Sequence, residues 1–155
     1  MELNNFKFNK KFGQNFIFDK NLLAAIVSDS GVTKDDEVLE IGPGAGTLTG
    51  MIAKNCKRVV SYEIDENLKG ILANNLAEYT NSTIIFKDAL KTDITEIEQN
   101  FSGNYSIIAN LPYYITTPIL LKILEEMNDL DEMIVMMQKE VALRICGKPS
   151  TKDYN

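Results

Sequence analysis

Three glycines at alternate positions follow an apolar run early in the chain, and they are Gly42, Gly44 and Gly46. Glycines at this spacing allow a tight turn and a close approach of the backbone to a ligand. The G-x-G-x-G pattern differs from the G-x-G-x-x-G of dinucleotide-binding folds, and no Gly-Lys-Ser/Thr follows it, as a P-loop requires. Taken alone, the three glycines are as consistent with a plain turn as with a binding site.

Acidic residues at the ends of the next two apolar runs favour the binding interpretation. Glu63 lies 21 positions after Gly42, where a nucleotide-binding βαβ unit holds the ribose hydroxyls. Asp88 ends the third run, where it suits an adenine amino group, whereas Asp65 is expected to cap a helix. Each acid alone is equally consistent with a helix cap. Together, the glycines and acids describe a site for an adenosyl ligand without a pyrophosphate, and S-adenosylmethionine fits that description.

A polar segment follows a fourth apolar run, in the sequence Asn110-Leu111-Pro112-Tyr113. The run at 106–109 is typical of a buried strand. Pro112 has no N–H for a hydrogen-bond ladder, so a central strand cannot continue through it. The amide of Asn110 and the ring of Tyr113 are therefore expected at the carboxyl end of a strand, where open α/β sheets bind ligands.

Strand and helix patterns alternate along the chain and predict an α/β fold with a doubly wound, mainly parallel sheet. We expect a fifth strand over 132–138 to be buried, because it is continuously apolar. In the helix expected over 118–127, Leu124 is predicted to face inward and Thr117 to be the N-cap. Residues 1–20 are predicted to form an arm of interleaved basic and aromatic residues, and residues 21–155 a single domain.

The composition is that of an ordinary globular protein, with 45% hydrophobic and 25% charged residues among 155. No apolar run approaches the roughly 18 residues that a membrane span needs, and the first residues lack the apolar core of a secretory signal. Two distant cysteines and no histidine predict reduced thiols and no metal site. These features predict a cytoplasmic protein that binds neither a membrane nor a metal.

The charge distribution leaves the question of a nucleic-acid partner open. A net charge of −6 argues against such a partner. Both ends of the chain, however, carry more lysine and arginine than acid. Positive ends on an acidic body are consistent with a local phosphate contact, and at least equally with solvated surface lysines.

In combination, the motifs resemble those of the KsgA-type ribosomal RNA adenine dimethyltransferases. The resemblance rests on residues 11–16, 40–44, 63–65, 88–89, 110–113, 117–118, 138–141, 148–149 and 151–154. It implies a Rossmann-like, S-adenosylmethionine-dependent methyltransferase fold. It also implies dimethylation of adenosine N6 in a hairpin loop of small-subunit ribosomal RNA, with that RNA or a 30S precursor particle as the partner of a monomeric enzyme.

The resemblance also assigns roles to individual residues. The residues expected at the cofactor are Asn15, Ile17, Gly42, Gly44, Gly46, Glu63, Ile64, Asp88, Ala89 and Asn110. The residues expected at the target base are Asn110, Leu111, Pro112 and Tyr113. An amide oxygen and a main-chain carbonyl can accept hydrogen bonds from the two N–H groups of adenine N6. These bonds aim the N6 lone pair at the sulfonium methyl group. An aromatic ring can stack on the base.

The sequence also departs from the pattern of the family. The resemblance implies further strands and a helical C-terminal domain, whereas the sequence ends at Asn155. We therefore expect a cofactor-binding part, truncated before the last strands. One alternative is a large-subunit methyltransferase of the macrolide-resistance type, although its motif more often has isoleucine where Leu111 stands. A non-catalytic RNA-binding or assembly fragment is another, and an NAD-dependent dehydrogenase is a third.

Overall fold

The computed structural model describes residues 19–111, 116–137 and 139–147, which contain a five-stranded sheet. Its order is β3-β2-β1-β4-β5, and the pairings are parallel. The strands are β1 Glu37–Ile41, β2 Arg58–Tyr62, β3 Ser82–Ile85, β4 Tyr105–Asn110 and β5 Leu130–Met136. The helices are α1 Lys20–Asp29, α2 Thr47–Asn55, α3 Lys69–Asn75, α4 Ile94–Glu98, α5 Thr116–Glu126 and α6 Lys139–Cys146, with a 3₁₀ turn at Glu66–Leu68.

Helices cover both faces of the sheet, and the predicted doubly wound α/β fold is confirmed. Successive strand residues point to opposite faces. On one face, side chains that include Val38 and Ile108 pack against α1 and α2. On the other face, side chains that include Leu39 and Ile107 pack against α4 and α5. Burial on both sides explains why apolar side chains occupy both faces of the central strands, as Val38 and Leu39 do in β1.

The burial of the last strand differs from the prediction. The fifth strand was expected to be buried over 132–138, but β5 runs from Leu130 to Met136 and its side chains are half-buried or exposed. Within the described residues, β5 lies at the edge of the sheet beside β4. Its apolar side chains therefore have less packing than those of the central strands.

Two predictions about α5 were wrong. Leu124 is 72% exposed, because the buried face of the helix is made by Ile119, Leu120 and Ile123. Thr117 lies inside the helix, which begins at Thr116. Pro118 is tolerated there because N–H groups in the first helical turn have no intrahelical partner to lose.

The predicted N-terminal arm lies almost wholly outside the described residues, which begin at Asp19. The division into an arm and a domain therefore stays a prediction. Among the described helices, none is both long and apolar enough to span a bilayer.

Candidate functional site

The predicted site residues that the structure describes lie at or just after the carboxyl ends of β1 to β4. Ile41 pairs with Tyr62, and Tyr62 pairs with Ile85, so the segments after these three strands begin side by side. β1 and β4 are neighbours, although the chain passes from β1 to β2 on one side and returns to β4 on the other. Such a reversal opens a crevice in which α/β proteins bind ligands. The glycine segment and Asn110 flank this crevice.

The glycine loop, residues 42–46, adopts a backbone that requires glycine. Gly42, Gly44 and Gly46 have φ angles of 73°, 58° and 88°, in the region that side chains disfavour. The Gly42 N–H donates to the carbonyl of Tyr62 at 2.9 Å, which fixes the start of the loop to β2. The Gly46 N–H donates to the carbonyl of Pro43 at 2.9 Å and closes the turn from which α2 begins.

Replacing Gly46 by alanine is expected to lower the free energy of unfolding by about 1–3 kcal/mol, because φ is positive there. An added Cβ would also lie 3.2 Å from side-chain carbons of Leu72 and Leu76. The control is Gly70→Ala in α3, where a Cβ meets nothing within 4 Å. Urea unfolding followed by circular dichroism is expected to show Gly70→Ala unchanged or stabilised by up to about 1 kcal/mol. Equal effects of the two substitutions would contradict this account of the loop.

Glu63 joins the glycine loop to the end of β2. Its side chain is buried, with Oε1 accepting from the Gly44 N–H at 3.3 Å and Oε2 from the Asp65 N–H at 3.0 Å. Burial raises the pKa of the Glu63 carboxyl, and these hydrogen bonds partly oppose the rise. Asp65 accepts from the Asn67 N–H at 3.0 Å and caps the 3₁₀ turn, so its predicted role is confirmed. Ile64, between the two acids, is half-buried.

The residues after β3 form a compact turn, residues 88–92, which we call the adenine loop because of the predicted role of Asp88. Asp88 Oδ1 accepts from the Leu90 N–H at 2.9 Å. The Asp88 carbonyl accepts from the Lys91 N–H at 3.1 Å and from Thr92 Oγ1 at 2.8 Å. Ala89 is buried in the core cluster that includes side chains of α5. Asp88 is thus held in an ordered turn at the site edge.

The fourth strand brings Asn110 and Leu111 to the same edge. Asn110 ends β4 half-buried, and the Leu111 N–H donates to the carbonyl of Met136 at 3.3 Å. The other predicted site residues lie outside the described residues, and they are Asn15, Ile17, Pro112 and Tyr113. The roles of all predicted site residues stay predictions.

Two residues that support the site were not assigned a role from the sequence. Glu40 in β1 is 1% exposed, and its Oε1 accepts from Ser61 Oγ at 2.8 Å and from Thr49 Oγ1. Asn75 in α3 donates from Nδ2 to the carbonyl of Ala45 at 2.8 Å, and this bond holds the glycine loop against α3. An acid inside a buried apolar run was the available signal for Glu40, because an unpartnered charge is not tolerated there.

The carboxyl of Glu40 is expected to make stability depend on pH. Burial, opposed by the two hydroxyl hydrogen bonds, raises its pKa from 4.5 to about 7. Between these values the folded protein binds a proton that the unfolded chain has lost, so this group's stabilising contribution falls as pH rises. Glu40→Gln is expected to remove this group's contribution to the pH dependence of stability. The free energy of unfolding of the variant is therefore expected to rise relative to that of the wild type as pH rises from 4.5 towards 7. Urea unfolding across this range measures the difference, and parallel curves for the two proteins would contradict the assignment.

Metal binding finds no support among the described residues, where no group of three or more histidine, cysteine or acidic side chains could hold an ion.

Comparison with known proteins gives a family, relatives and structures. Residues 5–155 match the sequence profile described as ribosomal RNA adenine dimethylase. Ribosomal RNA small subunit methyltransferase A of Alkaliphilus metalliredigens is 49% identical over 151 residues, which are 96% of this chain and 53% of that protein. The protein of the same name from Caldanaerobacter subterraneus is 53% identical over 150 residues, 96% of this chain and 56% of that protein. The chain spans about half the length of these relatives.

Solved structures share the fold. A dimethyladenosine transferase from Plasmodium falciparum superposes with a TM-score of 0.76 at 26% identity, over 91% of this chain and 50% of that one. The 23S rRNA methyltransferase ErmE superposes with a TM-score of 0.73 at 29% identity, over 84% of this chain and 50% of that one. The described sheet is thus the Rossmann-like sheet of the methyltransferases.

Proposed function

Because the chain belongs to the ribosomal RNA adenine dimethylase family, we propose that it carries the cofactor site of an enzyme that dimethylates adenosine N6 in small-subunit ribosomal RNA. The observation that carries this proposal is the convergence of four strand ends at one crevice. These ends bear the glycine loop, Glu63, the adenine loop and Asn110. Each segment alone is ordinary, but their order and placement match what an adenosyl ligand needs.

S-adenosylmethionine fits the donors and acceptors of this crevice. The Glu63 carboxylate accepts the N–H groups of Gly44 and Asp65, and its two oxygens have further lone pairs for a ribose hydroxyl. The Asp88 carboxylate suits the adenine amino group, with Ala89 beside the ring. The backbone of the glycine loop lies where it can approach the methionine part. Asn15 and Ile17 complete the proposed site, and the bound cofactor supplies an electrophilic methyl group on its sulfonium.

The proposed work of the Asn110 segment is to hold the target adenine. Its N6 is a poor nucleophile, since the lone pair is delocalised into the ring. The side-chain oxygen of Asn110 and a carbonyl of Leu111 or Pro112 accept hydrogen bonds from the two N6–H groups, which orients the lone pair. Such positioning contributes several kcal/mol or more to a rate, up to about 7–11 kcal/mol. Tyr113 stacks on the base, and a hairpin loop makes its extrusion least costly.

The proposed setting follows from the substrate. We propose that the enzyme works as a monomer on small-subunit RNA or a 30S precursor particle, and hence in the cytoplasm. The likeness to ErmE, at 29% identity, makes a large-subunit RNA the rival substrate. An assembly factor that binds RNA without methylating it is the non-catalytic rival.

A methylation assay on isolated ribosomal subunits separates these functions. The chain is tested alone and joined to the C-terminal half of the Caldanaerobacter subterraneus relative, because it spans about half of that protein. Unmethylated 30S and 50S particles are incubated with S-adenosylmethionine, and the RNA is digested for mass spectrometry. N6,N6-dimethyladenosine in 30S RNA is the expected result. Methylation of 50S RNA alone would identify the rival substrate, and 30S binding without methylation would favour the assembly factor.

A further inference from the structure

Lys122, in the middle of α5, is bonded to the adenine loop. Its ammonium nitrogen donates to the carbonyl of Ala89 at 3.1 Å, to that of Leu90 at 2.8 Å and to that of Thr92. The Asp88 carbonyl is bonded inside the loop, by Lys91 and Thr92. The loop therefore presents its other carbonyls together, and one half-buried ammonium group binds three of them.

The chemistry of lysine suits this position. An ammonium group has three donors and no acceptor, which matches three converging carbonyl oxygens. Charge-assisted hydrogen bonds are also stronger than neutral ones. Without the ammonium, three carbonyl dipoles would face one another at a partly buried place, and an unsatisfied buried acceptor is costly. Lys122 therefore holds the carbonyl groups of the adenine loop against α5, beside the apolar packing of Ala89.

We propose that Lys122 is a positioning residue that fixes the adenine side of the cofactor site against α5, the helix that follows the Asn110 segment in the chain. This inference rests on the proposed function. The adenine loop carries Asp88 and Ala89, while α5 begins six positions after Asn110. The Lys122 side chain thus links the adenine loop to α5 by hydrogen bonds that span 30 to 33 residues of sequence.

The packing of α5 gives the helix an attachment that does not depend on Lys122. Ile119, Leu120 and Ile123 are buried against the sheet and anchor the helix. Removing the ammonium is therefore expected to loosen the loop and to leave the helix in place. A purely structural lysine would instead change the stability of the whole domain.

Hydrogen exchange on the ligand-free chain tests whether the Lys122 hydrogen bonds hold the adenine loop in place. Lys122→Met is expected to speed exchange at Leu90, Lys91 and Thr92 by about tenfold or more, as a local opening does. Strand β2 is expected to exchange at its normal rate. The control is Lys34→Met, which removes the same charge from an exposed position before β1, away from the site. Unchanged exchange in the loop, or an equal increase throughout the sheet, would overturn the inference.

Ligand affinity tests what the Lys122 hydrogen bonds do for the site. Lys122→Met is expected to weaken the binding of S-adenosylhomocysteine and of adenosine by the same factor of about 10, within the usual range of coupling between sites. The factors are equal because both ligands carry the adenosine that the loosened loop contacts. Lys34→Met is expected to bind both ligands as the wild type does. Failure of the wild-type chain to bind S-adenosylhomocysteine would overturn the proposed function and the inference with it. Wild-type binding that Lys122→Met leaves unchanged would overturn the inference alone.

Chemical rescue distinguishes the ammonium from the bulk of the side chain. Lys122→Cys is made in a Cys146→Ser background and treated with 2-bromoethylamine, which rebuilds an ammonium at nearly the length of lysine. Cys56 is protected because it is buried and burial raises the pKa of its thiol to about 11. Treatment is expected to restore both loop protection and affinity to within about twofold of the Cys146→Ser protein. Alkylation without recovery would overturn the role assigned to the ammonium.

Discussion

Asn110→Ala is expected to reduce methyl transfer to small-subunit RNA by about a hundredfold to a thousandfold, as loss of one well-placed polar group at a reacting centre does. The reason is the place of Asn110 at the end of β4, beside the crevice between β1 and β4. The measurement is the single-turnover rate on 30S particles. Affinity for S-adenosylhomocysteine is expected to fall much less than the rate, because the glycine loop and Glu63 are unchanged.

Asn104→Ala is the matched control for this experiment. Asn104 directly precedes β4, at the end of the strand opposite to Asn110. Its amide nitrogen donates to Asp131 Oδ1 at 3.0 Å on an exposed surface. This substitution is expected to leave the methylation rate unchanged. A rate for Asn110→Ala equal to that of Asn104→Ala would contradict the role of Asn110.

Glu63→Gln is expected to weaken the binding of S-adenosylhomocysteine by about a hundredfold, since each hydrogen bond to a charged group contributes about 1.5–3 kcal/mol. The substitution removes the charge that a ribose diol prefers and places an NH₂ group among donors from Gly44 and Asp65. Because burial raises the pKa of Glu63, affinity for the wild type is expected to fall as pH drops through that raised value. Isothermal titration calorimetry at several pH values measures both effects, and the variant is expected to lack the pH dependence.

Glu37→Gln controls for the loss of a buried acid. Glu37 lies at the opposite end of β1, where its Oε1 accepts from the Ser102 N–H at 3.0 Å and from the Ser102 hydroxyl. It is nearly as buried as Glu63, so a similar change in stability is reasonable. Its effect on ligand affinity is expected to be negligible. Equal losses of affinity in the two variants would show that Glu63 acts through stability rather than through the ligand.

The sheet and its ligand edge could be predicted from local patterns. Apolar runs that alternate with helices indicate the fold class, and two of these runs end at residues that stop a strand, Gly42 and Pro112. Since parallel strands share one carboxyl edge, the order of the motifs was enough to place their residues together. The cap at Asp65 follows from equally local chemistry and was confirmed.

The remaining features depend on contacts that no local pattern encodes. The exposure of Leu124 depends on how α5 is rotated against the sheet, and the burial of β5 depends on its place at the described edge. Glu40 binds partners 9 and 21 residues away, and Lys122 binds a loop at least 30 residues away. These contacts join residues that are distant in sequence, so they could be identified only from the folded structure.

Calorimetric titration with S-adenosylhomocysteine and with NAD tests the central claim most directly. The crevice at the ends of β1 to β4 is expected to bind one S-adenosylhomocysteine per chain with a dissociation constant in about the micromolar range, as is usual for enzyme ligands. NAD is expected to bind far more weakly, because the glycine spacing does not suit a pyrophosphate. NAD binding tighter than S-adenosylhomocysteine, or no binding of the adenosyl ligand, would contradict the account.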